Sequence, residues 1–524
     1  MNIRFVVRQI GLLMLVLSLS ILAVACQGAV QWFRDAAGSD LAATKALLWT
    51  VAIGAALGTM FWFAGRGGDS RLGRREALLL VAVIWLFGAA VAGLPFRLWA
   101  LTAMADSPGH PFHSFVDCYF EAMSGLTTTG ATVLGHAGHM IRDLPEGLLL
   151  WRALTHWLGG LGIVVLFVAV LPTLGVSGKK LFQIEAPGPK APGVRPRIGE
   201  TARTLWIIYM GLTVAEIISL WVAGSSLFDA TCHTFATLGT GGFSTQDSSI
   251  GGQNLTSQII ILLFMVAAGV NFGLYHQMIH GHFRRAWSDP ELRLYLGILV
   301  VSCIVVIAAI AHQPIATTQS PETPLDPQWG SAAVHGAFQV VAIQTGTGFC
   351  TADFNGWGFV AQAVLVTLMF VGASSGSTGG GIKVIRVLIA FKVMIYEIER
   401  VFRPSVVRTV KVGKMKVDDD LKLATLVYIM SIAVLFLLGA VIIMILERNN
   451  PFLAGQGIDF TTAATASAAT LNNIGPGLSR VGAIENYGWF SASGKLVLSM
   501  LMVLGRLEMY AILVLFVPRF WKGQ

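Results

Sequence analysis

Four times in this chain a helix-like stretch too short to cross a bilayer ends in a turn built from threonine, glycine or asparagine. His113 to Leu126 ends in Thr127-Thr128-Thr129-Gly130, and Leu227 to Leu238 ends in Gly239-Thr240-Gly241-Gly242. Ala332 to Ile343 leads into Thr345-Gly346-Thr347-Gly348, and Ile458 to Leu471 into Asn472-Asn473-Ile474-Gly475. The closing glycines stand 112, 106 and 127 positions apart. Apolar runs of spanning length flank each copy, so the repeating unit is span, half-helix, glycine turn, span. That period is too long for a solenoid. Equal topology in every copy predicts four units around one axis normal to a membrane.

The membrane follows from composition. Only 12% of residues are charged and 55% are hydrophobic, whereas a soluble domain carries about 25% charged residues. Apolar runs long enough to span lie near 9–33, 43–64, 76–101, 147–173, 203–224, 257–280, 292–312, 357–397 (interrupted), 420–446 and 493–518. The run Ile10–Ala25, preceded by Arg4 and Arg8 and followed by Cys26, imitates a secretory signal. It continues to Phe33 and another span follows at once, which predicts a first transmembrane helix instead. The net charge of +8 resides in loops, a positive-inside pattern that argues against nucleic-acid binding. Arg66, Arg71, Arg74 and Arg75 follow the second span; Lys179, Lys180, Lys190, Arg195 and Arg197 follow the fourth. Arg284 and Arg285, the cluster from Arg400 to Lys416, and Arg519 with Lys522 continue the alternation, which predicts cytoplasmic termini. The five cysteines show no metal or disulfide spacing.

The predicted fold is therefore an all-α polytopic membrane protein. Four span–pore-helix–filter–span repeats surround a pseudo-fourfold pore, with two extra N-terminal spans. The expected bounds are 1–72 for the extra helices, then 73–178, 199–285, 290–400 and 417–524 for the repeats.

A desolvated cation needs a ring of oxygen dipoles in place of its water shell, and four converging backbone turns supply one. Glycine permits the dihedrals that aim successive carbonyls at an axis, and threonine adds a hydroxyl oxygen. Half-helices whose C-terminal ends face the axis favour a cation. No ring of four acidic side chains accompanies the turns, which speaks for a monovalent ion and against a calcium site. The candidate ion-binding residues are Thr128, Thr129 and Gly130; Thr240, Gly241 and Gly242; Gly346, Thr347 and Gly348; and Asn473, Ile474 and Gly475.

One feature lies outside the repeat. The eighth span is broken by Gly372-Ala373-Ser374-Ser375-Gly376-Ser377-Thr378-Gly379-Gly380-Gly381, after which come Ile382 and Lys383. Irregular backbone at membrane depth is tolerated only where protein buries it or it lines a cavity. A phosphate loop is a poor fit, because no Gly-Lys-Ser/Thr ending is present and both flanks are spans. The segment is either a packing bend where small residues let helices approach or, as we read it, a gate, with Ser374, Ser375, Ser377 and Thr378 bonding to freed backbone groups, and with Lys383 either at an inner cavity or reaching the interface. The other three repeats show no such break.

The four turns, Ser377-Thr378-Gly379-Gly380-Gly381-Ile382-Lys383 and the two extra N-terminal spans resemble the TrkH subfamily of the Trk/Ktr/HKT potassium transporters. The resemblance covers essentially the whole chain. It implies potassium uptake across a bacterial inner membrane by a homodimer whose subunits each hold a pore. It also implies a cytosolic nucleotide-binding partner of the TrkA type on the basic inner face, K+ as the transported ion, and no bound cofactor. In that family, glycine at the filter position of all four repeats accompanies potassium selectivity, and Gly130, Gly242, Gly348 and Gly475 meet the condition. The second and fourth triplets depart from Thr128-Thr129-Gly130, which implies selectivity less strict than four identical strands would give.

Arg506 lies within the apolar run Leu498–Leu515, with Glu508 two positions on. A mid-membrane arginine costs on the order of 2.5–3.5 kcal/mol and usually faces a cavity. It either pairs with Glu508 or, as the resemblance implies, faces the pore below the filter as an electrostatic barrier. Asp117, Glu121, Asp229 and Asp459 on the half-helices either concentrate cations at an outer mouth or, as is expected of any one of them, bond nearby backbone. His156, His233, His276 and His335 are expected to be satisfied core residues, and Asn271 interhelical glue. A sodium- or proton-coupled symporter of the same fold is the alternative to a channel. An enzyme would need a nucleophile–base pair or a metal cluster, and the sequence offers neither.

Overall fold

The computed structural model describes residues 2–35, 38–67, 73–107, 109–135, 139–169, 198–404, 409–413, 415–453, 457–507 and 509–521. Lys179, Lys180, Lys190, Arg195, Arg197 and Glu508 therefore lie outside the described residues, as does part of the expected 73–178 unit. Six described helices are long and apolar enough to cross a membrane, or eight if each bent pair counts as one span. The chain is a multi-pass helical membrane protein. A two-stranded antiparallel hairpin, Lys411–Val412 with Met415–Lys416, is the β-sheet among the described residues.

Two long helices come first, α1 (Ile3–Asp35) and α2 (Gly38–Ala64), packed along each other. Lipid offers no hydrophobic drive for such pairing, so close backbone approach must supply it. Gly11 provides that approach: a Cβ there would lie 2.6 Å from both the Gly58 carbonyl oxygen and the Trp62 amide nitrogen.

The first repeat comprises α3 (Arg74–Ala92) and α4 (Leu94–Ala103), the pore helix α5 (Phe115–Leu126) and α6 (Glu146–Ala169). The second comprises α7 (Ile198–Val222), the pore helix α8 (Leu227–Leu238), α9 (Leu255–Ala268) and α10 (Phe272–Ile279). In the third, α11 (Pro290–Ile310) precedes the pore helix α12 (Trp329–Thr345), and α13 (Phe359–Phe370) and α14 (Val384–Phe402) flank the broken segment. The fourth consists of α15 (Asp419–Leu446), the pore helix α16 (Phe460–Leu471) and α17 (Ala492–Arg506).

The pore helices start alike. Ser114, Ser226 and Asp459 each accept a hydrogen bond at their helix N-terminus, from the amides of Asp117, Asp229 and Thr462. Such caps satisfy amides that have no intrahelical partner. The third pore helix begins at Gln328 without a side-chain cap. Outer faces are apolar and exposed, as at Leu423, Met430, Leu437 and Ile445 of α15, whereas every residue of α16 from Thr462 to Leu471 is buried.

One expectation needs correction. The third repeat is not alone in being broken: the apolar runs 257–280 and 493–518 are not straight spans, because α9 and α10 meet at 95° and α17 meets the helical stretch Tyr510–Phe516 at 114°. Asn271 is not simply interhelical glue: its side chain caps α10, accepting from the Gly273 amide at 2.8 Å. An unbroken apolar run conceals this bend, since the groups that the bend frees find partners far away in sequence.

Replacing Gly11 with leucine drives a side chain into the α2 backbone. Overpacking of this kind costs about 1–3 kcal/mol, so the variant should unfold at lower temperature in detergent while its cation preference stays that of the parent.

Candidate functional site

The four turns that follow the pore helices adopt one backbone conformation. At the first position of each triplet φ is positive: 53° at Thr128, 54° at Thr240, 75° at Gly346 and 54° at Asn473. At the third position it is 82° at Gly130, 82° at Gly242, 76° at Gly348 and 92° at Gly475. Three of the first-position residues are not glycine, and left-handed backbone costs such residues roughly 1–2 kcal/mol each.

Hydrogen bonds hold that geometry identically. The first-position amide bonds to the carbonyl three residues back: Thr128 to Gly125 (3.0 Å), Thr240 to Thr237 (2.9 Å), Gly346 to Ile343 (3.1 Å) and Asn473 to Thr470 (3.3 Å). The second-position amide bonds five residues back: Thr129 to Ser124 (2.8 Å), Gly241 to Ala236 (2.8 Å), Thr347 to Ala342 (2.9 Å) and Ile474 to Ala469 (2.9 Å). The triplets differ in side chain, yet their backbones are equivalent.

The turns close a ring. A Cβ on Gly130 would strike the carbonyl oxygen of Gly241; on Gly242, that of Thr347; on Gly348, that of Ile474; and on Gly475, that of Thr129. Each third-position glycine thus packs against the second-position carbonyl of the next repeat, and the fourth returns to the first. Glycine is required twice over, for its dihedral and for the room that the neighbouring carbonyl occupies. The Thr129 and Thr347 hydroxyls bond back to Thr127 and Thr345, both at 2.8 Å. The Thr128 hydroxyl is buried without a hydrogen-bond partner among the described residues.

Pore-helix side chains brace the strand beyond each glycine. Glu121 accepts from the Val133 amide (3.0 Å), His233 bonds to the Ser244 hydroxyl (3.1 Å), Gln339 accepts from the Thr351 amide (3.2 Å) and Thr465 from the Leu478 amide (2.9 Å). Glu121 and His233 therefore have the structural roles expected of them. Asp229 and Asp117 depart from the expected backbone bonds: Asp229 accepts from the Thr245 hydroxyl (2.6 Å), and Asp117 pairs with Lys495 (2.5 Å). His335 bonds to Thr351 at 3.0 Å, while His276 lies against His280. His156 departs from expectation: it is fully buried, and neither ring nitrogen has a partner among the described residues.

On one face of the ring lies a vestibule of about 730 Å³, lined by all four third-position glycines together with Arg152 and Ser244. Against the other face lies the broken segment. Gly379 and Gly380 are pressed so closely on the carbonyls of Thr345 and Asn472 that neither has room for a Cβ. Gly372 and Ile382 close the neck of the loop, with the Gly372 amide donating to Ile382 at 3.0 Å and the Ile382 amide to Phe370 at 3.2 Å. Ser374, Ser375, Ser377, Thr378 and Lys383 are all buried; the Ser377 and Thr378 hydroxyls donate to the Ser374 and Ala268 carbonyls, but, against expectation, the Ser374 and Ser375 hydroxyls have no hydrogen-bond partner among the described residues. The Lys383 ammonium donates to the Gly379 carbonyl, so it lies inside the protein.

This loop and the α9–α10 bend satisfy each other. The Ser374 amide donates to Gly269 (3.0 Å), the Phe272 amide to Gly376 (3.1 Å) and the Thr378 hydroxyl to Ala268 (3.4 Å). Tyr275 and Tyr295 donate to the neighbouring carbonyls of Ala267 (2.7 Å) and Val266 (3.2 Å). Protein groups thus meet the carbonyls at the end of α9, as lipid requires.

Arg506 is buried beneath the ring. It donates to the Thr378 carbonyl of the loop at 2.8 Å and to Gly159 of α6 at 3.2 Å. It thereby joins the fourth repeat to the third and the first. Glu508, the alternative partner in the sequence, lies outside the described residues.

A family model described as a cation transport protein, TrkH, matches residues 71–522. The chain belongs to the TrkH family. It is 36% identical over 530 residues to the Trk system potassium uptake protein TrkH of Escherichia coli K12, with both chains covered in full. It is also 36% identical over 527 residues to the protein of that name from Halomonas elongata, again over 100% of each. The crystal structure of the potassium transporter TrkH from Vibrio parahaemolyticus matches with a TM-score of 0.82 and 32% identity, covering 100% of both chains. TrkH proteins form a transport family and are not enzymes.

Of the buried acidic and basic residues of this TrkH-family chain that escape a sequence reading, two touch the turns or the loop directly. Arg152 is fully buried in α6 against Glu121 of α5. Glu291, at the start of α11, accepts from the Ser375 amide (2.6 Å) and the Ile385 amide (3.3 Å), tying the loop to the foot of its own repeat. Both partnerships span distances along the chain that no local pattern reveals. A hydrogen bond to a charged acceptor is worth about 1.5–3 kcal/mol, so its loss should expose the loop roughly tenfold more often. With the five native cysteines replaced, Ser375→Cys should react with a membrane-permeant maleimide about tenfold faster once Glu291→Ala is added; equal rates would make Glu291 a bystander.

Proposed function

We propose that this TrkH-family protein takes up potassium as a gated, channel-like transporter, with the four turns as its selectivity filter. The observation that carries the reading is the closed cycle in which each third-position glycine packs on the next repeat's carbonyl. Four equivalent backbones around one axis offer a desolvated cation rings of carbonyl oxygens. Pore helices that end at the ring add the negative ends of their dipoles. The ion-binding residues are the twelve of the triplets: Thr128, Thr129, Gly130, Thr240, Gly241, Gly242, Gly346, Thr347, Gly348, Asn473, Ile474 and Gly475. The relatives' names, potassium uptake proteins, point to K+ as the cargo.

The segment from Gly372 to Lys383 is the gate, and Arg506 is its strut. Pressed on the Thr345 and Asn472 carbonyls, the loop blocks the path just below the filter, and the arginine adds a positive charge there. An inside-negative potential supplies about 2.3 kcal/mol per charge per 100 mV, which drives uptake without chemistry in this chain. We further propose an inner-membrane location with both termini cytoplasmic, and a homodimer with one pore per subunit. A cytosolic nucleotide-binding subunit of the TrkA type docks on the basic inner loops. The repeats occupy 73–178, 199–285, 290–400 and 417–524 after an extra pair of helices in 1–72.

Gly130→Ser places a side chain against the Gly241 carbonyl and should lower K+/Na+ discrimination. Reversal potentials in mixed ions measure it, and unchanged values would remove Gly130 from the filter. Deleting Gly376–Gly380 should raise basal current in planar bilayers, and Arg506→Ala should raise it less. Unchanged basal current in both would make the loop a passive bend, and flux that demands a second ion at fixed voltage would replace the channel by a symporter.

A further inference from the structure

The four braces behind the filter are not alike. Three use hydrogen bonds made by His233, Gln339 and Thr465, each acting within its own repeat. The first uses a buried ion pair, with Arg152 Nη2 2.7 Å from Glu121 Oε1 and Nε 2.9 Å from the same oxygen. This brace also crosses to the second repeat. Arg152 Nη1 donates to the Ser244 carbonyl at 3.3 Å, while Nη2 lies 3.4 Å from the Thr132 hydroxyl. Thr132 and Ser244 occupy the same place in the two repeats, two residues beyond Gly130 and Gly242. The guanidinium lies 4.1 Å from the ring centroid of Phe243, directly after Gly242.

The same face of α6 continues the contact. His156, one turn on, fills the space that any Gly241 side chain would need, and its ring centroid is 4.1 Å from that of Phe243. Glu121 in turn receives the Thr132 hydroxyl (2.9 Å) and the Val133 amide (3.0 Å). One planar fork therefore spans the strands that leave the filter in repeats one and two. A lysine cannot reproduce it, because a single ammonium lacks the fixed spread of donors.

We propose that Arg152 is a positioning residue for ion selectivity, holding the first and second filter strands at a fixed separation while Glu121 neutralises its charge beside the vestibule. This inference rests on the reading of the four turns as a filter. A ring of carbonyls discriminates cations through its size and through the number and field strength of its dipoles, and the Arg152 fork sets how the strands of repeats one and two present theirs. Glu121 has a second duty, since an uncompensated arginine lining the vestibule would repel arriving cations.

The test uses the full-length protein in liposomes, with Arg152→Gln, Arg152→Lys, Glu121→Gln and the Arg152→Gln/Glu121→Gln pair. Bi-ionic K+/Na+ reversal potentials and Rb+ uptake are measured per folded protein. Arg152→Gln should lower the K+/Na+ permeability ratio about fivefold or more, the consequence of losing bonds made by a charged donor. Arg152→Lys should fall between it and the parent. Glu121→Gln should slow Rb+ uptake, more so at low ionic strength, and the double variant should regain rate without regaining selectivity. A parental permeability ratio in Arg152→Gln, or in Arg152→Lys should the glutamine variant fail to fold, overturns the proposal. Gly130→Ser, run alongside, separates the two levels: if it alters the ratio and the Arg152 variants do not, only this inference fails; if neither does, the filter reading fails with it.

Discussion

A polar backbone group has no water to turn to inside a bilayer, and this constraint explains most of the molecule. Wherever a helix stops short of the far side, its freed amides and carbonyls must meet other protein groups. Four pore helices stop midway, and each resolves its last turn by the same pair of amide bonds reaching three and five residues back. Among the further breaks in the described residues, those between α9 and α10 and between α13 and α14 bond their loose ends to one another through the Ser374 amide, the Gly376 carbonyl and the Thr378 hydroxyl. The candidate gate is thus built from the backbone debts of two neighbouring repeats. Freeing the loop would expose the end of α9 as well as its own amides.

The ring follows from the same constraint. Carbonyls released by the half-helices cannot point into lipid, so they face the interior that the four repeats share. Glycine at the third position lets each strand approach its neighbour until carbonyl meets Cα. Three non-glycine residues hold left-handed dihedrals to keep the pattern, a strain that persists only because the surroundings determine it. Glu121, Arg152, His233, Gln339 and Thr465 provide those surroundings on the vestibule side. Arg506 and the loop provide them below.

The fold was largely legible because hydropathy and glycine placement act locally. Apolar runs announced the spans, and four turns of one kind, at Gly130, Gly242, Gly348 and Gly475, announced the repeat. The break at Gly372–Gly381 was visible because small and hydroxyl residues interrupt an apolar run. The bend at Gly269–Asn271 was not, because its flanks are apolar and its partners lie more than a hundred residues on, as with Ala268 and Thr378. Left-handed dihedrals at Thr128 and Thr240 were equally hidden, since threonine carries no signal for them. Arg152 and Glu291 escaped because their meaning depends on residues from other elements.

The central claim is that a ring of backbone carbonyls chooses the ion. Reconstituted wild-type protein, with K+, Rb+, Na+ and Li+ flux measured separately at one imposed voltage, tests it most directly. A carbonyl ring of fixed spacing predicts that K+ and Rb+ pass at similar rates and that Na+ and Li+ pass much more slowly. Na+ and Li+ fluxes equal to that of K+ would contradict it.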